Sequence, residues 1–315
     1  MKAVVTGAAG FIGSHLSERL IDAGATVVGI DCFTDYYSRE LKERNLARLR
    51  ESPRFSLVEQ SLATADLPSI LSHATHVFHL AAQAGVRKSW GRDFHVYTVN
   101  NVEATQILLE ACVGKPIERF VYTSSSSIYG DEVTLPMRED ARPQPVSPYG
   151  VTKLAAEQLC YLYYVNHSVP TVALRYFTVY GPRQRPDMGF ARFFEAVLHD
   201  EPVPMFGDGR QTRDFTFVTE AVSATVASAT RGTPGGVYNI GGGSRVELLD
   251  VFELIRIITG RALRLSRLEA QRGDMRDTYA DTTRARTDLA FAPTVTLEQG
   301  LRAQYEWITA SNDKR

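Results

Sequence analysis

Seven residues near the start of the chain, Gly7-Ala-Ala-Gly-Phe-Ile-Gly13, constrain the fold more than any other stretch. They follow Lys2-Ala-Val-Val-Thr6, which reads as a short buried strand, and precede Ser14 to Ala23, where apolar residues recur at helical spacing. Val27 to Ile30 reads as a second strand. Strand, glycine turn, helix and strand form one unit whose two strands run parallel, because the helix carries the chain back over the sheet. Amides at the start of such a helix, here Gly10, Phe11, Ile12 and Gly13, can hold a pyrophosphate. The spacing of these glycines differs from G-x-G-x-x-G, and a glycine turn also serves a plain strand-to-helix connection. Asp31 adds weight: it ends the second strand and can accept hydrogen bonds from an adenosine ribose. Cys32 and Phe33 follow it, with no arginine to meet a 2′-phosphate, so NAD is favoured over NADP.

The alternation continues. Phe55 to Val58, His76 to Leu80, Phe120 to Thr123 and Thr171 to Tyr176 read as strands, and Ser38 to Glu51, Val99 to Cys112 and Tyr149 to His167 as helices. The expected fold is α/β, a doubly wound parallel sheet. After Tyr180 the chain turns rich in Gly, Pro and Arg, which reads as loops over a site, while Phe215 to Ala227 and Val237 to Ile240 look like returns to the main sheet. The expected division is a cofactor domain at 1–178 with returns near 215–242, and a smaller discontinuous substrate domain at 179–214 and 243–315. A formal net charge of -1 without a basic stripe gives no argument for nucleic acid or a membrane surface. Three scattered cysteines make neither a disulfide framework nor a metal site, and no segment is long and apolar enough to span a bilayer. A cytoplasmic protein with a small-molecule partner is expected.

Tyr149-Gly-Val-Thr-Lys153 places a phenol and an amine one helical turn apart on the same face. An ammonium and a cationic nicotinamide nearby would lower the phenol pKa and let tyrosinate act as a base. Such a pair is common on solvated helices and gains meaning from Thr123-Ser-Ser-Ser-Ser-Ile-Tyr-Gly130, at the end of a strand where doubly wound sheets bind ligands. Together and in order, the glycine turn, Asp31, Leu80-Ala81-Ala82, the serine-rich run before Tyr-Gly, Tyr-x-x-x-Lys and Arg175-Tyr-Phe-x-x-Tyr-Gly-Pro182 resemble the nucleotide-sugar epimerases and dehydratases of the extended short-chain dehydrogenase/reductase family, which share the Rossmann fold. The resemblance spans essentially the whole chain. It implies that Ser125 hydrogen-bonds the sugar hydroxyl, Tyr149 is the base and Lys153 holds the nicotinamide ribose. Thr123 and Asn101 would lie at the cofactor, with Asn100 as an adjacent rival to Asn101.

Family dehydratases carry Asp-Glu after the catalytic Thr, and decarboxylases carry Glu at the second place. Here Ser126 and Ser127 stand there, which leaves oxidation and re-reduction at one carbon, an epimerisation, unless a carboxylate arrives from elsewhere. Thr178 replaces the Asn usual in galactose-type epimerases and precedes Gly181-Pro-Arg-Gln-Arg-Pro-Asp-Met188, a combination similar to the UDP-glucuronate 4-epimerases. Arg185 can fork onto a carboxylate, although diphosphate binding, surface charge or an exchange with Arg183 are alternatives. By the same resemblance Phe206 stacks on uracil, Arg213 and one of Arg272 and Arg276 bind diphosphate, and Arg87 lies near the substrate. Relatives often have Asp where this chain has Ser61, near the adenine. The implied reaction is NAD-dependent 4-epimerisation of UDP-glucuronate to UDP-galacturonate through a 4-keto sugar. UDP-glucose or UDP-N-acetylglucosamine epimerase, UDP-glucuronate decarboxylase and a non-catalytic NAD-binding scaffold are the alternatives. Leu108, Leu109, Leu159 and Tyr163 give two helices a second apolar side, consistent with a homodimer or with packing inside the chain.

Overall fold

An apolar run without charge over residues 3–6 belongs between two layers of helix, and the computed structural model, which describes residues 1–131 and 133–312, has that arrangement. β1 (Lys2–Thr6) leads through the glycine turn into α1 (Phe11–Asp22), followed by β2 (Thr26–Ile30), α2 (Arg39–Arg50), β3 (Phe55–Val58), α3 (Leu67–Ile70) and β4 (His76–His79). The second half-turn of the fold comprises α4 (Phe94–Tyr97), α5 (Ala104–Cys112), β5 (Arg119–Ser125), α6 (Pro148–His167) and β6 (Thr171–Tyr176). Then come β7 (Val179–Tyr180), α7 (Gly189–Leu198), β8 (Val203–Phe206), β9 (Thr212–Asp214), β10 (Thr216–Phe217), α8 (Val218–Arg231) and β11 (Val237–Ile240). β12 (Arg245–Glu247), α9 (Leu248–Thr259), β13 (Leu265–Leu268), α10 (Thr283–Leu289) and α11 (Leu297–Asn312) complete the chain.

Seven parallel strands form the main sheet in the order β3-β2-β1-β4-β5-β6-β11. The order reverses between β1 and β4, where Thr6 lies beside His79, and a crevice opens beyond the strand ends at that point. One face is covered by α1 and α8, with Leu16, Leu20, Phe78, Val121 and Ala221 in its core; the other packs Leu108, Leu109, Phe120, Tyr122 and Cys160. Leu108, Leu109 and Tyr163 are thus used inside the chain, and the large apolar residues that α6 leaves exposed are Val151, Tyr161, Leu162 and Val165.

Three local readings change. Residues 215–227 do not form a strand of the main sheet: the two-residue β10 pairs with β7, and the rest is α8, lying on the sheet. Only β11 returns to it, beside β6. α1 begins at Phe11, inside the glycine run. The helix expected from Val99 begins earlier, as α4, and passes through a π-helical turn at Thr98–Glu103 before α5. That wider turn rotates the residues after it relative to an even α-helix.

Candidate active site

At the switch point the chain encloses a cavity of about 960 Å³, near the upper size of small-ligand sites. Its first wall is the glycine turn. Gly7 sits at φ +70°, and a Cβ there would lie 3.0 Å from the Ala81 amide nitrogen; a Cβ at Gly13 would lie 2.1 Å from the Gly7 carbonyl oxygen. The turn is therefore packed against both the β4 loop and α1 with room for hydrogen only. No side chain caps α1, and Gly10, Phe11, Ile12 and Gly13 line the cavity, so first-turn amides face it as an anion site. Leu80, Ala81 and Ala82 also line it, the first two donating backbone N–H to Thr6 Oγ1 at 3.2 and 3.0 Å. Asp31 is fixed at the end of β2 by the amides of Ala9 and Phe33, at 3.2 and 2.9 Å. Lys42 Nζ lies 3.4 Å from its Oδ1. An uncapped helix end for phosphates and a fixed carboxylate for a ribose diol fit NAD.

The second wall joins the end of β5 to the start of α6. Ser147 caps α6 by accepting from the Gly150 amide at 3.1 Å, with Pro148 at the first helical position. A Cβ on Gly150 would stand 2.4 Å from the Ser127 carbonyl oxygen, so the helix rests directly on the end of the strand. That contact brings Tyr149 beside Ser125 on the cavity wall. Ser125 Oγ accepts from the Ser127 amide at 3.1 Å. Lys153 is buried, its Nζ 4.4 Å from the centre of the Tyr122 ring, and desolvation pulls its ammonium down to about 7. Burial raises the Tyr149 phenol above its ordinary value, against the hydrogen bond from Ser125 and the charge of Arg185. Thr123, whose hydroxyl donates to the His79 carbonyl at 3.1 Å, lines the same wall.

Ser126, Ser127, Thr178, Arg185, Phe206 and Arg87 all line the cavity. Arg185 is held by Asp187 through Nε at 2.9 Å and Nη2 at 3.0 Å, and Tyr36 donates to the same carboxylate at 3.2 Å. Arg87 stacks 3.8 Å from the centre of the Phe206 ring and forks onto Asp274 at 2.7 and 3.1 Å. Arg183 does not reach this wall: it pairs with Glu18 at 2.8 Å and Ser14 at 3.2 Å, so it cannot exchange roles with Arg185.

Three residues expected at the site are absent from its wall. Asn101 is buried, with its amide used by the backbone of Gln83 at 2.7 and 3.0 Å and by Thr152 at 3.0 Å; Asn100 lines the cavity in its place. Arg213 donates to the carbonyls of Thr212 and Arg276 at 2.8 and 3.1 Å. Arg276 is exposed and forks onto Asp208 at 2.8 and 2.9 Å; Arg272 lines nothing here either. Residues missed by the sequence reading include Lys42, Tyr36, Asp187 and Arg192, all on the wall. Ser61, noted as a departure, is there too. Among the described residues there is no group of His, Cys, Asp or Glu fit to hold a metal and no helix long and apolar enough to cross a membrane.

Residues 3–241 match the family model described as "NAD dependent epimerase/dehydratase family". The chain is 44% identical over 314 residues to an uncharacterized UDP-glucose epimerase, YtcB, of Bacillus subtilis, with 98% of each chain covered. It is 35% identical over 330 residues to a probable UDP-glucuronate 4-epimerase of Rhizobium meliloti, covering 98% of this chain and 96% of that one. Its fold superposes with a TM-score of 0.96 on the crystal structure of UDP-glucuronic acid 4-epimerase from Bacillus cereus in complex with UDP-glucuronic acid and NAD, at 44% identity over 99% of this chain and 100% of that one.

Proposed function

The chain belongs to the NAD dependent epimerase/dehydratase family, and on that premise we propose that it inverts carbon 4 of UDP-glucuronate, giving UDP-galacturonate. The observation carrying this reading is the company Tyr149 keeps in the cavity wall: Ser125 beside it, two neutral serines in the turn that follows the strand, and the charge of Arg185. NAD bound along the glycine turn supplies a reversible acceptor for the hydride of carbon 4, so that net redox change is zero. Tyr149 takes the proton of the 4-hydroxyl and later returns it, while Ser125 holds that oxygen in line. Lys153, whose ammonium burial pulls down to about 7, would donate to the nicotinamide ribose and in its charged form would favour the tyrosinate. Asp31 with Lys42 holds the adenosine ribose, and Phe206 anchors the base while the hexose turns over. Donors from Ser126, Ser127, Thr178 and Arg185 hold the carboxylate of the sugar in a plane that disfavours loss of carbon dioxide.

UDP-glucose is the second reading, favoured by one feature: Arg185 with Asp187 is a neutral pair, which a sugar without a carboxylate can face. A scaffold without catalysis is disfavoured by the intact Ser125, Tyr149 and Lys153. The division into a cofactor domain at 1–178 with returns near 215–242 and a substrate domain at 179–214 and 243–315, and the cytoplasmic setting, remain part of the proposal, the latter supported by three free cysteines. A homodimer is supported by the exposed apolar residues Val151, Tyr161, Leu162 and Val165 of α6 and Phe94 and Val96 of α4. The test is to incubate purified protein with UDP-glucuronate and, separately, UDP-glucose, without added NAD, and to follow the sugars by NMR. Conversion of glucuronate to galacturonate is expected; conversion of glucose alone replaces this reading with the second.

A further inference from the structure

We infer that Asp187 is a built-in counterion that keeps Arg185 from binding a uronate too tightly for the sugar to turn over, an inference that rests on the uronate reading above. Asp187 holds Arg185 by its side edge, Nε to Oδ1 and Nη2 to Oδ2, at 2.9 and 3.0 Å. Two hydrogens on Nη1 and one on Nη2 are left over, and among the described residues Nη1 has no partner. The guanidinium therefore offers its far edge to a ligand while a carboxylate of the protein already sits on its near edge. Tyr36, from the loop after β2, donates to Asp187 Oδ2 at 3.2 Å and keeps that carboxylate in place. Both partners are about three-quarters buried or more, at 19% and 26% exposure.

Burial makes the charge count matter. An arginine alone at this depth would present a full positive charge to the carboxylate of the substrate. Asp187 brings the pair to zero, so the sugar is recognised by directed hydrogen bonds and not by net attraction. Catalysis needs that weaker tether. Inversion at carbon 4 requires the hexose to present both faces in turn, which breaks or exchanges its contacts with Arg185, and ground-state binding that must be undone slows turnover. Asp187 remains in reach of the guanidinium whenever the substrate lets go, so the cation is never left bare during the rotation.

The effect has a sign that a purely structural role would not produce. Replacing Asp187 with Asn or Ala should lower KM for UDP-glucuronate on the order of tenfold and lower kcat with it, a figure set by one unit charge a few ångströms away after discount for partial exposure. UDP-glucose, lacking the carboxylate, should not bind more tightly. Loss of local structure would raise KM for both sugars instead. The experiment is steady-state kinetics and calorimetric binding of both nucleotide sugars to the NAD-loaded protein, for the parent, Asp187→Asn and Asp187→Ala, with melting curves to check folding. A KM for UDP-glucuronate that rises or stays put in variants that melt like the parent overturns the inference, as does equal tightening for both sugars. Failure of the parent to convert UDP-glucuronate would sink the proposed function, while the binding ratio would still read the counterion effect.

Discussion

Gly13 offers the most direct test of how the glycine turn works. A Cβ built there stands 2.1 Å from the Gly7 oxygen and 2.8 Å from the Gly7 carbon, both backbone atoms that no rotamer change can move aside. Relief to the 3.0 Å that real contacts respect requires α1 and the turn to separate by about 0.9 Å. A displacement near 1 Å at a positioning element is worth about 100-fold. Hydrogen bonds to a charged group lead to a similar figure: loss of one bond from a first-turn amide to pyrophosphate costs about 1.5–3 kcal/mol. That corresponds to roughly 10- to 150-fold in Kd. Overpacking should also lower stability by about 1–3 kcal/mol. We therefore expect Gly13→Ala to lose copurifying NAD, measured chromatographically after denaturation, and to bind added NAD roughly 100-fold more weakly by calorimetry. Gly260→Ala is the control, since Gly260 has positive φ, +65°, but has nothing within 4 Å and ends α9 away from the cavity. It should show only the conformational strain, about 1–2 kcal/mol, and keep its NAD. If Gly13→Ala binds NAD within about threefold of the parent, the close packing of α1 on the turn is not what presents the amides.

Lys153 is held near 7 when folded against an ordinary 10.5, so the unfolded chain carries a proton that the folded chain lacks across that window, and stability must rise with pH there. Lys153→Met should flatten that slope, about 1.4 kcal/mol per pH unit, in urea titrations between pH 7.5 and 10, as well as abolish turnover. An unchanged slope would mean that Lys153 is not desolvated. Arg185→Ala or Thr178→Ala should leak UDP-pentose from UDP-glucuronate, detectable by mass spectrometry; inactive variants that release no pentose would refute the role given to these residues in holding the carboxylate. Glu157→Gln leaves Arg175, which is buried and bonded to Glu157 at 2.7 and 3.1 Å, without its counter-charge and should lower unfolding free energy by about 3–5 kcal/mol. A loss below about 1 kcal/mol would show that Tyr129 and the Glu139 carbonyl suffice to satisfy Arg175.

What the sequence disclosed followed from patterns that local physics imposes. Buried strands need apolar runs, and the turn before α1 needs glycine because backbone lies within 3.0 Å of where a side chain would begin. Tyr149 and Lys153 were legible because four residues on a helix make one turn. Asn100 and Asn101 were not separable, since a π-helical turn changes which residue faces inward while leaving the local composition helical. Charges were visible and their partners were not. Arg276 finds Asp208 and Arg183 finds Glu18 across large sequence separations, each reached only once the chain is folded. Asp187 stood two residues from Arg185 in plain view, but two residues apart in a loop implies contact only for a particular backbone path.

The sequence leaves open whether a carboxylate from elsewhere supplies the acid and base missing at Ser126 and Ser127. Among the described residues four carboxylates line the cavity: Asp31, Glu103, Asp187 and Asp274. Asp31 is bound by two amides and Lys42, Asp187 by Arg185 and Tyr36, and Asp274 by Arg87. Each of these three carboxylates already has its oxygens engaged by partners within the protein. Glu103 is exposed and belongs to the π-helical turn, not to the strand end that carries Ser125. Elimination needs an acid and a base acting on adjacent carbons, and the wall around Tyr149 carries the phenol and the Lys153 amine flanked by hydroxyls. A phenol that takes a proton off an oxygen and gives it back to the same oxygen serves inversion, and that is the chemistry this wall supports.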